Sequence, residues 1–310
     1  MPLLSAKLPT SVRLDASTIC QLRCAGCYMR NENHGLGAGC LKLADFEKFV
    51  RMNPHVKRIE LSNNGEIFMN PDLAGIIGAG HRAGVALSAY NGVNFNDVSD
   101  DVMRAMVEFG FEGLTISIDG SSQKTYSRYR RGGNFKKVIA NIKRLNKYKS
   151  AYGRRAPHLD WQYIIMESTD DEAEIKRAKK MAVELDMGIF FKKDWGGYAP
   201  KDPAMVAREC NLRYDAAEPW VPCADLWSQP CVNWNGKLVG CCCSTNEFPL
   251  NCFEAGLDVI MSDKILMKTK KMLMGRSFCW ESPCCNCWYF IDRILRRREF
   301  VKKEDFDDGR

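Results

Sequence analysis

The sequence predicts an α/β fold in which a partial barrel of six strand–helix units precedes a small cysteine-rich C-terminal region. Three observations predict it. From residue 12 to about 195, short β-like runs alternate with helix-period segments, which implies a parallel sheet with helices packed over it. Residues 196–222 are rich in Gly, Pro and turn formers and read as a linker. The cysteines are uneven: three lie at 20–27, one at 40, none between 41 and 209, and eleven between 210 and 287.

The expected strands are 12–15, 58–61, 85–89, 114–118, 159–166 and 187–192, with helices around 43–52, 72–83, 99–109, 134–149 and 170–185. Six such units suit an open barrel, with ligands at the carboxyl ends of the strands. The segment 231–243 reads as a hairpin turning at Asn235-Gly236. A helix at about 258–274 and a basic helix at 292–303 follow. The expected division is 1–200 for the barrel, 201–290 for the cysteine-rich domain, and 291–310 for a basic helix and polar tail.

Hydrophobic residues make up 45% and charged residues 27% of the 310, enough to bury a core and too apolar for disorder. No apolar run reaches the roughly 18 residues that span a bilayer. The best candidate, 72–90, is broken by His81 and Arg82. The opening MPLLSAKLPT lacks a basic stretch followed by an apolar one, so a cytoplasmic protein without a membrane partner is expected. Of the net charge of +7, residues 126–155 carry eleven Lys/Arg and no acid, and the remainder is slightly acidic. Phe135, Val138, Ile139, Ile142 and Leu145 share one face of the helix there. Its lysines therefore read as a solvated face, and nucleic acid is not an expected partner.

In a reducing compartment, clustered cysteines bind metal or do chemistry more often than they form disulfides. Cys20, Cys24 and Cys27 follow the first strand with spacing C-x3-C-x2-C. Three thiolates on one tight loop suit three corners of a [4Fe–4S] cube, leaving one iron open. A structural zinc site needs four ligands, and no fourth is near in sequence. With the aromatic Tyr28, this motif resembles the signature of the radical S-adenosylmethionine (SAM) superfamily. The resemblance implies a radical SAM barrel whose open iron chelates SAM.

Further motifs extend it. Ser62-Asn63-Asn64-Gly65-Glu66 stands where that family has a Gly-Gly-Glu motif contacting the SAM amino group; Gly65 and Glu66 match, and Asn63 and Asn64 depart. Tyr90-Asn91-Gly92 resembles the family's Thr-Asn-Gly turn. Ser117-Ile118-Asp119-Gly120 and Tyr129-Arg130-Arg131-Gly132-Gly133 resemble a strand end and helix start of members with a C-terminal cluster domain. The resemblance implies that Tyr28, Gly65, Glu66, Asn91, Ser117 and Arg130 bind the cofactor, with Ser117 and an arginine of the 130–131 pair on its methionine carboxylate or ribose.

Cys223, Cys241, Cys284 and Cys287 stand out by spacing in the second region. They resemble the ligand set of a twitch domain, the short form of the SPASM domain, which implies a second, fully ligated [4Fe–4S] cluster. A zinc ribbon is the alternative, since four thiolates suit zinc. Cys242 or Cys243 is an alternative to Cys241, and Cys285 to Cys284.

Eight cysteines remain, most of them expected as buried fillers. Cys252 is singled out as a hydrogen donor, because its loop, 244–253, follows the cluster-binding strand and a thiol S–H is weaker than a sugar C–H. Chain length and this cysteine resemble the family's epimerases of neomycin-type aminoglycosides. The expectation is therefore a radical SAM epimerase acting on an amino sugar, reduced by a flavodoxin or ferredoxin-type donor. Glu60, Gln162, Asp194 and Trp195 are expected substrate contacts. The alternatives are an aminocyclitol dehydrogenase, a peptide-modifying enzyme, and a non-catalytic iron–sulfur or RNA-binding module.

Overall fold

The computed structural model describes residues 8–31, 34–194, 198–210 and 221–307. Six strands follow the chain in order: β1 (Ser11–Leu14), β2 (Arg58–Glu60), β3 (Ala86–Val93), β4 (Gly113–Ser117), β5 (His158–Ile165) and β6 (Gly188–Lys193). Each pairs in parallel with its predecessor. The crossovers carry helices α1 (Leu43–Met52), α2 (Leu73–Arg82), α3 (Asp100–Glu108), α4 (Gln123–Tyr129), α5 (Phe135–Ala151) and α6 (Glu172–Glu184). All six expected strands form, and β3 runs on to Val93 across an irregularity after Ala89.

Side-chain caps fix where the helices start. Ser99 accepts from the Val102 amide at 3.3 Å, Asn134 from Lys137 at 3.0 Å and Asp171 from Glu174 at 3.0 Å, each satisfying an N–H that lacks an intrahelical partner. Strand alternation then sorts the two faces. Trp161, Tyr163 and Ile165 of β5 join the main core beneath the helices. Ile164 and Met166 point the other way and pack with Leu22, Cys24 and Tyr129. On α5, Phe135, Val138, Ile142 and Leu145 are buried, and Lys136, Lys143 and Lys147 are exposed.

The hairpin forms as β7 (Cys231–Val232) and β8 (Leu238–Gly240), with Gly236 at φ 84° in the turn. It continues the barrel's own sheet. The order is β6-β5-β4-β3-β2-β1-β7-β8, with β7 parallel to β1 and β8 antiparallel to β7. The Asp15 amide donates to the Val232 carbonyl at 2.9 Å, and Arg13 to Pro230 at 3.0 Å.

Four elements depart from expectation. The segment read as a linker contains α7 (Pro203–Glu209), capped by Asp202 with Pro203 in its first turn; residues 196–197 and 211–220 of that segment lie outside the described residues. Before it, the short α4 was not anticipated; Ser122 and Thr125 cap it reciprocally. The helix expected at 258–274 divides into α8 (Leu257–Met261) and α9 (Lys264–Leu273), because Asp263 caps the Ile265 amide at 2.7 Å and restarts the chain. The basic helix expected at 292–303 is a π-helical stretch, Phe290–Arg296; Arg298 at φ 62° breaks it. Among the described residues, no helix is long and apolar enough to cross a membrane.

Candidate active site

The loop after β1 is pinned on two sides. Thr18 exchanges backbone and hydroxyl hydrogen bonds with Gly37 and Gly39. Further on, the Arg23 and Ala25 amides donate to the Arg131 and Tyr129 carbonyls, both at 2.9 Å. Between these anchors the chain turns tightly, with the Cys27 amide donating to the Cys24 carbonyl at 3.3 Å. Cys20, Cys24 and Cys27 thereby line one cavity of about 320 Å³, together with Gly65, Glu66, Ser117 and Arg130. Seven residues singled out from four separate stretches of sequence meet there.

Bare backbone shapes the walls. A Cβ on Gly65, at φ 62°, would lie 2.3 Å from the Ser17 carbonyl oxygen. One on Gly92, at φ 117°, would lie 2.7 Å from the Ser117 hydroxyl. The departures from the glycine motif have a structural role: Asn64 is clamped to Asp15, its amide donating to Oδ1 at 2.9 Å and its side-chain Nδ2 to Oδ2 at 2.8 Å. The Tyr28 hydroxyl bonds to the Asn64 side chain. Asn91 turns to Asn63 at 3.2 Å; Gly92 and Asn94 line the cavity, and Asn91 does not.

Burial dominates the electrostatics. It pushes the Glu66 carboxyl up to about 7, against hydrogen bonds from the Asn94 and Phe68 amides that favour its charged form. Asp15 likewise rises to about 7. The Cys20 thiol is pushed up to about 12, and Cys27 rises by the same cause. At neutral pH these thiols hold their protons, so ligating a cation must release them. Arg130 opposes that cost. Its Nη1 lies 3.5 Å from the Cys24 sulfur, and its Nε donates to Asp119 Oδ2 at 2.6 Å. Asp119 is fully buried at φ 51° and also accepts from the Ile164 amide at 2.9 Å. The signal for it was the Asp119-Gly120 pair at a strand end.

Cys223, Cys241, Cys284 and Cys287 line a second, small cavity with Ser244, Leu273 and Phe290. Burial raises Cys223 and Cys241, and their neighbouring thiols raise them further. Cys285 turns away and donates to the Cys279 carbonyl at 3.1 Å. Cys242 and Cys243 stand with sulfurs 3.9 Å apart and do not line the cavity. Among the described residues, no three Cys, His, Asp or Glu side chains are drawn together around a single metal ion.

Other expectations are displaced. Cys252 is not at a mouth: it is fully buried in the main core and lines neither cavity. Its amide is tied to the Gly236 carbonyl at 2.7 Å, folding its loop back along the hairpin. Glu60 is saturated internally, accepting from Ser62 and Ser88 hydroxyls, both at 2.6 Å, and from the Tyr90 amide at 2.9 Å. Gln162 donates to Ser117 at 3.3 Å. Asp194 accepts from the Tyr129 hydroxyl at 2.9 Å and the Tyr198 amide at 3.0 Å. Trp195 lies outside the described residues.

Solved structures with the same sequential parallel sheet and crossover helices superpose on nearly the whole chain. SuiB of Streptococcus suis aligns with a TM-score of 0.65 at 15% identity, covering 96% of this chain and 77% of SuiB. A structure of anSMEcpe with bound AdoMet gives 0.59 at 13% identity, over 91% of this chain and 87% of that one. BtrN in complex with AdoMet and 2-DOIA gives 0.52 at 11% identity, over 91% and 94%. At these identities the likeness is one of fold. No family model and no curated protein matches the sequence.

Proposed function

We propose that this chain is a radical SAM enzyme. One observation carries the reading: Cys20, Cys24, Cys27, Gly65, Glu66, Ser117 and Arg130 line one cavity. The donor set fits a cluster with one open iron, because three thiols on a pinned loop leave the cavity side free. When bound there, such a cluster supplies one-electron cleavage of SAM, the source of a hydrogen-abstracting radical.

The chain's own residues perform the rest. Arg130 donates from Nη1 to the Cys24 sulfur at 3.5 Å, and its positive charge opposes the burial-driven rise of the Cys27 thiol. Glu66 offers a carboxylate to the cationic amino group of the cofactor, and Ser117 a hydroxyl to its carboxylate or ribose. Gly65 and Gly92 leave backbone bare where a side chain would fill the space. Leu22, Tyr129, Ile164 and Met166 pack behind the cysteine loop and exclude water. In the second cavity, Cys223, Cys241, Cys284 and Cys287 are the four donors we assign to an auxiliary [4Fe–4S] cluster. The outward turn of Cys285 supports Cys284, and the separate Cys242–Cys243 contact supports Cys241.

For the reaction, we read the substrate as an amino sugar or aminocyclitol. The slightly acidic balance outside residues 126–155 suits a cationic ligand. The epimerase expected from the sequence needs a thiol beside the substrate, and the burial of Cys252 favours dehydrogenation instead. Both readings are tested with anaerobically reconstituted protein. Cluster absorbance, paramagnetic resonance and 5′-deoxyadenosine release test the class; their absence overturns it. Turnover in heavy water then separates outcomes. A product two mass units lighter supports dehydrogenation, and an isomer carrying one solvent deuterium restores the epimerase.

A further inference from the structure

A third cavity, of about 710 Å³, lies between α4, the β5–α6 connection and the residues entering α7. It shares no lining residue with the other two. Its walls follow β4, β5 and β6, so it lies at the carboxyl end of the sheet. Its volume falls within the roughly 300–1,000 Å³ of small-molecule sites. Buried Glu174 joins two of the walls. It accepts from the Thr125 hydroxyl at 2.5 Å and the Ser121 amide at 2.7 Å, and it pairs with Arg177.

The other charges lining the cavity are unequally satisfied. Lys201 stands 4.0 Å from Glu167, and Asp202 accepts from the Ala204 amide at 2.9 Å and pairs with Arg208 at 3.2 Å. Lys124 and Arg128 are exposed and, among the described residues, have neither a hydrogen bond nor an ion pair. They stand one turn apart on α4, where like charges repel. Lys124 also lies in the first turn, at the positive end of the helix, and that turn holds no acid. Both cations are thus unfavourably placed, and both line the same cavity.

The β5–α6 connection supplies the complementary charge. Asp170 Oδ2 accepts from the Lys201 and Asp202 amides, and Asp171 Oδ1 accepts from the Glu174 amide at 3.0 Å. The second oxygen of each carboxylate accepts nothing among the described residues. We propose that this cavity binds a small ligand carrying a phosphate at one end and an ammonium group at the other. A guanidinium and an ammonium one turn apart suit phosphate oxygens. The open oxygens of Asp170 and Asp171 suit a charged N–H donor. A bare anion would face those carboxylates unpaired, and a bare amine would leave Lys124 and Arg128 as they are. Arg128 stands two residues before Arg130, so the occupant is held by the helix that leads into the Cys24 contact.

Calorimetry tests the assignment. The full chain, reconstituted anaerobically, is titrated with glucosamine 6-phosphate, glucose 6-phosphate, glucosamine and inorganic phosphate. Glucosamine 6-phosphate is expected to bind, and each of the other three about ten-fold or more weakly than it does. Lys124→Ala and Arg128→Ala should each weaken its binding about ten-fold without lowering the denaturation midpoint, since neither side chain has a partner to lose. Asp171→Asn keeps an oxygen to cap α6. That variant should weaken glucosamine 6-phosphate and leave glucose 6-phosphate unchanged. Saturating SAM should not compete, because the cavities are separate. Absence of binding, binding unaltered in both cation variants, or competition by SAM overturns the proposal. So does binding of glucose 6-phosphate or glucosamine as tight as that of glucosamine 6-phosphate.

Discussion

Arg130 reaches the Cys24 sulfur at 3.5 Å while the buried Asp119 carboxylate holds its other edge. The contact joins the end of β4, the end of α4 and the cysteine loop through one guanidinium. Because Asp119 is sealed from water, this charge cannot be removed without leaving another unpaired.

Arg130→Ala is therefore expected to cost about 3–5 kcal/mol of stability. Denaturant unfolding of the cluster-free chain measures it. The double variant Arg130→Met/Asp119→Asn should recover much of that loss without restoring cluster loading. Recovery of loading would show that the arginine acts on Asp119 alone.

Glu66 and Asp15 give a pH signature. Both carboxyls titrate near 7 in the folded chain and near 4 to 4.5 unfolded. Between these values the folded state holds more protons, so stability falls as pH rises. Each group contributes a slope of about 1.4 kcal/mol per pH unit across that window. Below it both states are protonated and the contribution is complete; above about 7 it has gone. Glu66→Gln should remove its share of the slope, read from denaturation midpoints at pH 4.5 to 7, and weaken SAM binding about ten-fold or more.

Gly65→Ala tests the bare backbone. Its left-handed φ and the approach to Ser17 together predict a loss of about 1–3 kcal/mol. Equilibrium dialysis with SAM should show binding lost, and Gly84→Ala, equally left-handed but with open space around it, should retain binding.

Cysteine replacements separate the two sites. Cys24→Ala should halve the iron and abolish SAM cleavage. Cys284→Ala should also halve the iron, while Cys285→Ala leaves it unchanged. Equal iron loss in the last two would undo the assignment of Cys284.

Cys252→Ala is expected to cost about 1–2 kcal/mol as a small core truncation. Its turnover should match that of the original chain. Loss of turnover at retained SAM cleavage would return Cys252 to the chemistry.

Strand–helix alternation made the barrel legible, since a period of two giving way to 3.6 is a local signal. The cysteine loop, Gly65-Glu66 and Ser117 were legible for the same reason: each sits at a strand end. Residues whose role depends on a distant partner were not. Nothing near Asp119 announces Arg130 as its counter-charge, and nothing near Asn64 announces Asp15. The burial of Cys252 was not legible either, because its loop folds back along the hairpin through the Gly236 contact, which local sequence does not specify. The pairing of β7 with β1 was hidden in the same way, because it joins residues over two hundred positions apart.

That pairing has a consequence for biogenesis. The first strand to leave the ribosome gains its second neighbour only when residues 231–232 arrive. Until then one edge of the nascent sheet is bare, and such edges invite association with other chains. The two thiol-bearing regions meet across that same seam. The assembly of both is thus coupled to a late closure, and a chain truncated before the hairpin should emerge as an aggregation-prone half-sheet.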